Sequence, residues 1–393
     1  MASATLRLGV AGLGRAFMLM LPTLRADPRV RMVAASDPRD EARRQFQAEF
    51  GGRAYATVAE LCGDPEVDAV YLATPHQFHV EHVVAAARGG KHALVEKPIA
   101  LTLEECETMI AAARRAGTVL IVGHSHSFDA PILRTRALIR DEEFGRVRMI
   151  HALNYTDFLY RPRRPEELDT RQGGGVVFSQ GAHQVDIVRL LGGGLVRSLR
   201  AQTGAWDPSR PTEGAYSALI TFDTGAFATL TYSGYAHYDS DELCGWVGEL
   251  GFANDPARYG SARAALRHAT TMEEEVALKT RRTYGGSSEP ERKPIAHNHF
   301  GMIVASCERA DLRPVASGVQ VYADDRTWLV ELPAPGIPRV EVIDELYDAV
   351  VTHRAPTHGG EWAMATLEVC LAILESSRTG REIALCHQVE SAR

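Results

Sequence analysis

The chain has 393 residues, more than one compact core usually holds, so its length predicts two or three domains. Its 45% hydrophobic and 24% charged residues are typical of a soluble globular protein, and its net charge of −7 argues against nucleic acid, which needs a basic face. No apolar run approaches the ~18 residues that span a bilayer, and Arg7 and glycines interrupt the apolar stretch near the N-terminus. We expect a cytoplasmic protein that binds neither nucleic acid nor membrane.

A glycine-rich turn follows the first predicted strand, Leu6 to Gly12, and leads into a helix from Ala16 to Arg25. Glycines permit the close backbone approach that a diphosphate needs at a helix N-terminus. The residues expected to hold a dinucleotide there are Gly12, Gly14, Arg15 and Ala16. Phe17 stands where the third glycine of the usual fingerprint would be, so a tight turn without a ligand remains an alternative.

A second strand, Arg31 to Ser36, ends at Asp37, twenty residues beyond Phe17. An acidic residue at this point accepts hydrogen bonds from the adenosine ribose and repels a 2′-phosphate, which favours NAD over NADP. Arg39, two residues on, leaves NADP open.

Strands and helices continue to alternate up to Val122. A threonine followed three residues later by a glutamate, Thr102 and Glu105, is a capping box that opens one of these helices. Such alternation predicts an α/β fold with a doubly wound parallel sheet, and a dinucleotide-binding domain over residues 1–124. The further helices are predicted at Arg39–Phe50, Val58–Cys62, His79–Arg88 and Leu103–Arg115, and the further strands at Ala69–Thr74, His92–Glu96 and Thr118–Val122.

The stretch from Ala73 to Glu105 places a lysine, Lys97, just after an apolar strand and just before a proline. Such a position lies at the carboxyl edge of a parallel sheet, where open α/β folds bind ligands. An ordinary surface lysine is the alternative. The cofactor-binding residues expected along this edge are Ala73, Thr74, Pro75, His76, His79, Glu96 and Lys97.

Thr74-Pro75, His79, Gly90-Lys91-His92 and Glu96-Lys97-Pro98 together resemble the signature of the Gfo/Idh/MocA oxidoreductases, the glucose-fructose oxidoreductase and inositol dehydrogenase family. The resemblance implies that Lys97 lies beside the nicotinamide and the substrate hydroxyl. It also implies a cis peptide bond between Lys97 and Pro98, against a base rate of ~5% for such bonds.

Two histidines, His124 and His126, follow the last strand of the domain in the sequence Gly123-His-Ser-His-Ser-Phe-Asp129. The family usually has Asn and Arg at the positions of Ser125 and His126. A His-x-His pair without a third ligand in sequence is more often a hydrogen-bonding pair than a metal site. We therefore predict that both histidines contact the substrate and that the chain binds no metal.

From about Arg146 the pattern changes to strands and hairpins, so residues 125–393 are predicted to form a substrate-binding and oligomerisation domain. Segregated strands favour a large, mostly antiparallel open sheet with one covered face. The other face would join subunits into a homodimer or homotetramer. A polar stretch in this domain, Thr270 to Pro294, is predicted to be an exposed loop or lid. Strands are predicted at Arg146–Thr156, within Tyr216–Ser233, and at Gly318–Ala323 and Arg326–Leu332, and helices at Val340–Arg354 and Glu361–Arg378.

A glycine-rich loop, Gly173 to Gly175, precedes His183 and Asp186, which are three residues apart and so share a helix face. Spacing alone leaves a buried structural pair as an alternative. The family has an aspartate at the position of Ser179, and serine cannot act as a carboxylate base. We therefore assign proton transfer to Lys97 and His183, and predict Ser179 and Asp186 as substrate contacts.

Four arginines lie within eleven residues just before this loop: Arg161, Arg163, Arg164 and Arg171. Guanidinium groups bind carboxylates in pairs of hydrogen bonds, so Arg161, Arg164 and Arg171 are expected to bind an anionic substrate, although a solvated surface is an equal alternative. With the His124 motif and His297-Asn-His-Phe300, they resemble the phthalate cis-4,5-dihydrodiol (4,5-dihydroxyphthalate) dehydrogenases within the family.

The sequence thus predicts an NAD-dependent dehydrogenase that oxidises a secondary alcohol of a small carboxylated cyclic cis-diol, with the cis-4,5-dihydrodiol of phthalate as the expected substrate. A sugar or inositol dehydrogenase is an alternative, because the fold does not fix the substrate. A nucleotide-sensing regulator without chemistry is a second alternative, favoured by Phe17 and Ser179.

Overall fold

The computed structural model of the chain describes residues 5–235, 237–286 and 293–391. These residues form two sheets with helices packed on them, as the strand and helix patterns predict. Residues 287–292 of the predicted loop lie outside the described part of the chain.

The first sheet has six parallel strands in the order β3-β2-β1-β4-β5-β6, the doubly wound order of dinucleotide-binding domains. Its strands are β1 Leu6–Ala11, β2 Val30–Ser36, β3 Arg53–Tyr55, β4 Ala69–Leu72, β5 His92–Val95 and β6 Leu120–Val122. Its helices are α1 Arg15–Ala26, α2 Asp40–Phe50, α3 Val58–Cys62, α4 His79–Arg88 and α5 Leu103–Ala116. The predicted capping box of α5 is confirmed: Thr102 and Glu105 bond each other's backbone N–H.

The second sheet has nine strands in the order β14-β13-β12-β11-β7-β10-β9-β8-β15 and is antiparallel except where β10 pairs with β7. Helices α6 and α7 cover one face, and α7 and β7 share a core centred on residues such as Ile150 and Val185. The strands are β7 Val147–Tyr155, β8 Val196–Gly204, β9 Ala215–Phe222, β10 Phe227–Ser233, β11 Met302–Cys307, β12 Ala310–Val315, β13 Gly318–Ala323, β14 Thr327–Glu331 and β15 Ile383–Ala384. The helices are α6 Ala130–Arg140 and α7 Ala182–Gly192.

The prediction of an exposed loop from Thr270 to Pro294 is partly wrong. It contains helix α9, Met272–Thr280, which follows a shorter helix, α8 Ser261–Leu266. Glu275 in α9 is buried and accepts hydrogen bonds from Arg210 at 2.8 Å and from the backbone N–H of Arg163 at 2.6 Å. A buried ion pair, not an apolar face, therefore fixes this segment.

The last two helices return to the first sheet. Helix α10, Val340–Val351, packs in the same core as α1 through Val342 and Leu346, and α11, Gly360–Thr379, packs between the two sheets. The predicted boundary between the two domains, residue 124, falls two residues after the end of β6. Helices α10 and α11, from the second half of the chain, nevertheless pack against the first sheet.

None of the helices in the described part of the chain is long and apolar enough to cross a bilayer. The six cysteines are free thiols, of which Cys62, Cys106 and Cys370 are buried.

Candidate active site

The glycine turn has the geometry that a dinucleotide requires. Gly12 has φ +86°, and a Cβ there would lie 2.8 Å from the carbonyl oxygen of Ala73. A Cβ on Gly14 would meet nothing within 4 Å, so there is open space at the N-terminus of α1. Backbone N–H groups at a helix N-terminus attract phosphate oxygens. The N-terminus of α1, with Gly14, Arg15 and Ala16, is therefore open to a phosphate group.

Asp37 is buried at the end of β2 and accepts a hydrogen bond from the Leu13 N–H at 2.8 Å, which ties it to the glycine turn. It also pairs with Arg39. The Arg39 guanidinium donates from Nε and Nη2 to the carboxylate, from Nη2 to the Leu13 carbonyl, and from Nη1 to Thr283 and the carbonyl of Tyr284. An arginine has five N–H donors, and all five are used here.

Phe17, which replaces the third glycine, is fully buried and meets the ring of Tyr284 edge-on at 5.3 Å. The Tyr284 N–H donates to the Leu13 carbonyl at 3.2 Å. The larger residue therefore anchors a segment of the second half of the chain over the turn, which explains the departure from the fingerprint.

The predicted cofactor residue His79 has another role. It is 1% exposed, and its two ring nitrogens face the carbonyls of Thr74, Pro98 and Ile99 at 3.0, 3.1 and 3.2 Å. The ring therefore ties the end of β4 to the segment after Lys97 instead of facing a cofactor. His76 Nε2 is 2.7 Å from the Gln172 carbonyl, so it joins the edge to the glycine-rich loop.

Lys97 lies at the carboxyl edge, as predicted, and the expected cis bond to Pro98 is confirmed. Its Nζ donates to the backbone carbonyl of Ser179 at 2.7 Å. Burial lowers the pKa of Lys97, and the negative charge of Glu96 opposes that shift. Glu96 itself accepts a hydrogen bond from the Tyr71 hydroxyl at 2.6 Å, and burial raises its pKa. A lysine with a lowered pKa is better suited to exchange protons than a solvated lysine.

Three histidine rings meet beside Lys97. The ring centre of His126 is 4.8 Å from that of His183 and 5.1 Å from that of His124, and Phe300 lies 5.0 Å from His126. The pKa of His183 is well below the usual range because the ring is buried, with the charge of Lys97 adding to the effect. Its Nδ1 is buried and has no hydrogen-bond partner among the residues that the structure describes. A neutral, unpartnered imidazole nitrogen at this point is available to a substrate hydroxyl.

Asp129, which sequence reasoning missed, holds two of these rings. Its carboxylate oxygens lie 2.7 Å from His126 Nδ1 and 3.3 Å from His124 Nε2. The three side chains offer ligand atoms within 4.8 Å of one another, so the argument that His-x-His lacks a third metal ligand is wrong. The two hydrogen bonds account for the arrangement without an ion. The spacing His-x-His-x-x-Asp was the available signal.

Two predicted substrate residues do not present free side chains. Asp186 accepts hydrogen bonds from Ser127, from Trp362 Nε1 at 2.5 Å and from Thr366 at 3.0 Å, all buried, so it fastens α7 to α11. The Ser179 hydroxyl donates to the Gly175 carbonyl. Ser179 contributes through its backbone carbonyl, which positions Lys97.

The four arginines separate into two groups. Arg171 is 90% exposed and pairs with Asp169, and Arg164 faces Glu166 at 3.9 Å. The structure does not bring either of them to the histidine cluster. By contrast, the charge of Arg163 acts on Lys97, and Arg161 lines a cavity of about 570 Å³.

That cavity is lined by polar side chains from the second half of the chain, with Arg161 near Asp157 at 2.8 Å and Glu249 at 3.7 Å. Asp241 on its wall lies 3.7 Å from His299 Nε2, and the next residue, Phe300, contacts the His126 ring, so the cavity approaches the histidine cluster. Burial raises the pKa of Asp241 on its wall to about 7. Glu249 and the half-buried Arg339, whose charge acts on Glu96, come from distant parts of the chain and carried no local signal, whereas Phe300 belongs to the His297-to-Phe300 motif.

Comparison with known proteins matches two family descriptions. Residues 6–124 match "Oxidoreductase family, NAD-binding Rossmann fold", and residues 132–253 match "GFO/IDH/MocA C-terminal domain".

Individual relatives extend this result. The chain is 51% identical over 377 residues, 95% of each chain, to a 1-carboxy-3-chloro-3,4-dihydroxycyclohexa-1,5-diene dehydrogenase of Comamonas testosteroni. A solved structure of a Bordetella bronchiseptica RB50 protein has a TM-score of 0.92 at 43% identity, covering 97% of this chain and 100% of that one. The WlbA dehydrogenase of Bordetella pertussis, solved with NADH and UDP-GlcNAcA, shares the fold with a TM-score of 0.68 at 20% identity, covering 97% and 99%.

These matches set aside the alternative of a regulator without chemistry. The chain belongs to the Gfo/Idh/MocA oxidoreductases and is an NAD(P)-dependent dehydrogenase of that family.

Proposed function

We propose that the enzyme oxidises the secondary alcohol of a carboxylated cyclohexadiene cis-diol with NAD, as a step in the degradation of an aromatic acid. The observation that carries this proposal is the partly buried Lys97, whose charge acts on His183, an imidazole whose Nδ1 has no hydrogen-bond partner among the described residues. Arg161 in the wall of the nearby polar cavity adds to it. The 51% identical dehydrogenase, named for a carboxylated cyclohexadiene diol, supports the substrate class.

The name of that relative also indicates which carbon reacts. In a 1-carboxy-3-chloro-3,4-dihydroxycyclohexadiene, carbon 3 carries both chlorine and a hydroxyl, so only carbon 4 has a hydrogen to give up as hydride. The ketone formed at carbon 4 would lose HCl from carbon 3 to give a carboxylated ortho-quinone. A phthalate cis-4,5-dihydrodiol, the finer prediction from sequence, would become a catechol by tautomerisation. Both are carboxylated cis-diols; aromatisation makes oxidation of the phthalate diol nearly irreversible, and loss of HCl does the same for the chlorinated diol.

Bound NAD would supply the hydride acceptor, and the rest of the reaction falls to the chain's own side chains. Lys97 Nζ and His183 hold the hydroxyl oxygen of the substrate, and its proton leaves to one of the neighbouring bases. The lowered pKa of Lys97 makes its neutral amine more accessible than that of a solvated lysine. The buried rings of His183 and Phe300 exclude water from the reacting carbon.

Arg161 is proposed to bind the substrate carboxylate. It is 37% exposed at the cavity wall, and its partners Asp157 and Glu249 are themselves partly exposed. A carboxylate entering the cavity could take up the same guanidinium in paired hydrogen bonds. A neutral sugar or inositol would leave this charge unused, so Arg161 favours the carboxylated diol over the polyol alternative.

NAD is preferred to NADP in this proposal because of Asp37 and Arg39. The buried carboxylate would repel a 2′-phosphate, and Arg39 has no free N–H to bind one.

The open face of the nine-stranded sheet is proposed to join two copies of the chain. One row of paired residues runs across it through Tyr322, Asp311, Ser306, Met149 and Phe227. Three large apolar side chains of this row are exposed, Tyr322 by 41%, Met149 by 39% and Phe227 by 41%. An apolar strip of this kind on a flat sheet favours an interface.

The proposed activity is tested by NADH formation with purified protein, NAD and each of three candidates: the chlorinated carboxy-diol, the phthalate diol and myo-inositol. Turnover with either carboxylated diol and none with inositol is expected. Turnover with inositol alone would overturn the proposed substrate class.

A further inference from the structure

We propose that Asp129 and His126 form a dyad in which His126 Nε2 accepts the hydroxyl proton of the substrate and Asp129 positions the ring. The inference rests on the proposed function and adds the group on which the proton comes to lie. His126 is then a catalytic residue, and Asp129 is a positioning residue that acts through it.

The first observation is that the Asp129 side chain does not cap the helix that it precedes. Asp129 occupies the N-cap of α6, where an aspartate normally accepts a stabilising hydrogen bond from the helix backbone. Its side chain makes no such bond. Instead, both carboxylate oxygens face imidazole nitrogens, those of His126 and His124.

The second observation is the orientation of the His126 ring. The contact with Asp129 uses Nδ1, so the opposite nitrogen, Nε2, faces away from the carboxylate. No described residue forms a hydrogen bond with Nε2. The ring packs against those of His183 and Phe300, at 4.8 and 5.0 Å. With Nδ1–H donated to Asp129, Nε2 carries the lone pair that a proton acceptor needs.

The third observation is that the other candidates are poorly suited to keep the proton. His183 is buried beside Lys97, which disfavours a positive charge on it. Ser179 is not ionisable, and Glu96 is engaged by Tyr71. Asp129 is 4% exposed, and the neighbouring imidazoles help to keep its pKa below the usual range, so it remains an anion. An anion fixed against His126 stabilises the imidazolium that forms, as in the Asp-His pairs of hydrolases.

Other charges also face this group. Lys97 lies on the sheet edge, Arg339 precedes α10 and acts on Asp129, and His299 precedes β11 and is influenced by His126. The positive charges of Lys97 and Arg339 disfavour a further positive charge on His126. The carboxylate of Asp129 offsets this repulsion when the ring takes up the proton.

The balance of the step is simple. The O–H bond breaks and its proton goes to His126 Nε2. The C–H bond breaks and its hydrogen leaves as hydride, carrying two electrons to the nicotinamide. A C=O bond remains, and the proton later passes to solvent.

The test compares two variants of one residue. Asp129→Asn keeps the shape but not the charge, whereas Asp129→Glu keeps the charge but not the length. We expect D129N to lose about 10²- to 10⁴-fold in kcat, with KM and NAD affinity within about threefold of wild type, and D129E to keep more activity than D129N. The solvent deuterium isotope effect on kcat should rise in D129N, because proton transfer becomes slower.

A matched control is Asp64→Asn, another buried aspartate that pairs with an arginine, Arg53, far from the cluster. It should lower the thermal midpoint without changing kcat. The dyad would be refuted by a D129N enzyme with more than a third of wild-type kcat, or by D129N exceeding D129E. Stoichiometric bound zinc whose removal by EDTA abolishes turnover would also overturn it, since Asp129 would then be a metal ligand.

A substrate-free readout separates this inference from the proposed function. If the wild-type enzyme turns over no carboxylated diol, the proposed function fails. The ¹⁵N spectrum of the histidines still tests the dyad: a hydrogen-bonded Nδ1–H on His126 that is lost in D129N supports it, and an Nε2–H tautomer in wild type overturns it.

Discussion

Replacing Asp37 by asparagine should change the cofactor preference toward NADP. In the wild type the carboxylate is 5% exposed, accepts the Leu13 N–H and engages two N–H groups of Arg39 at 3.0 Å each. Asparagine keeps an oxygen for Leu13 but removes the charge. A unit of phosphate charge at roughly 5 Å from the carboxylate is repelled by about 3 kcal/mol at an effective dielectric constant of ~20.

Solvent screening reduces that value, because the Arg39 side chain is 37% exposed. Arg39 would also be released to bind the 2′-phosphate. We therefore expect the ratio of kcat/KM for NADP to that for NAD to rise by about 10- to 100-fold, measured from initial rates at 340 nm. Asp40→Asn is the matched control, since Asp40 is three residues away, 62% exposed and equally charged. A D37N enzyme whose ratio stays within threefold of wild type would refute the reasoning.

Three further predictions concern the catalytic cluster and the cavity. Lys97→Met should lower kcat by about 10²- to 10⁴-fold while NAD binding, followed by fluorescence titration, persists; wild-type turnover would remove Lys97 from the mechanism. Arg161→Ala should raise KM for carboxylated diols by about 10- to 100-fold, the effect of losing a hydrogen bond to a charged group. Arg171→Ala, a change at an exposed arginine, should leave KM unchanged. Equal effects of the two changes on KM would contradict the assignment of Arg161 to the substrate carboxylate. Acid should destabilise the fold. Burial lowers the pKa of His124 to about 3 and that of His183 well below its usual range. Below pH ~6.5 the unfolded chain therefore binds protons at these two rings that the folded chain does not bind. The free energy of unfolding should then fall by up to about 1.4 kcal/mol per pH unit for each ring, and a constant thermal midpoint from pH 7 to 5 would contradict this.

The alternating elements of the first sheet could be predicted because each rests on local signals. Apolar runs, the capping box at Thr102 and glycines after helices are all contained within a few residues of the elements they define. Helices Val58–Cys62 and His79–Arg88 were predicted to the residue for this reason.

Features that depend on distant partners were missed. Helix α9 begins with a capping box, Thr271 and Glu274, that the sequence analysis did not use; it has no apolar face, and its buried residue, Glu275, is held by Arg210, 65 positions away. Arg171 was assigned to the substrate because a cluster of charges does not reveal that Asp169, two residues earlier, already pairs with it. Asp129 was overlooked although it lies in the same motif as His126, since a spacing of three residues becomes a contact only when the turn before α6 folds back.

The central claim is that this dehydrogenase oxidises a carboxylated cyclohexadiene cis-diol with NAD. The most direct measurement is NADH formation at 340 nm with the chlorinated carboxy-diol and the phthalate cis-4,5-dihydrodiol, beside myo-inositol and glucose, repeated with NADP. We predict turnover of a carboxylated diol with NAD, a much lower rate with NADP, and none with the polyols. Turnover of the polyols alone would contradict the claim, and Arg161 would then be a cavity residue without a substrate carboxylate to bind.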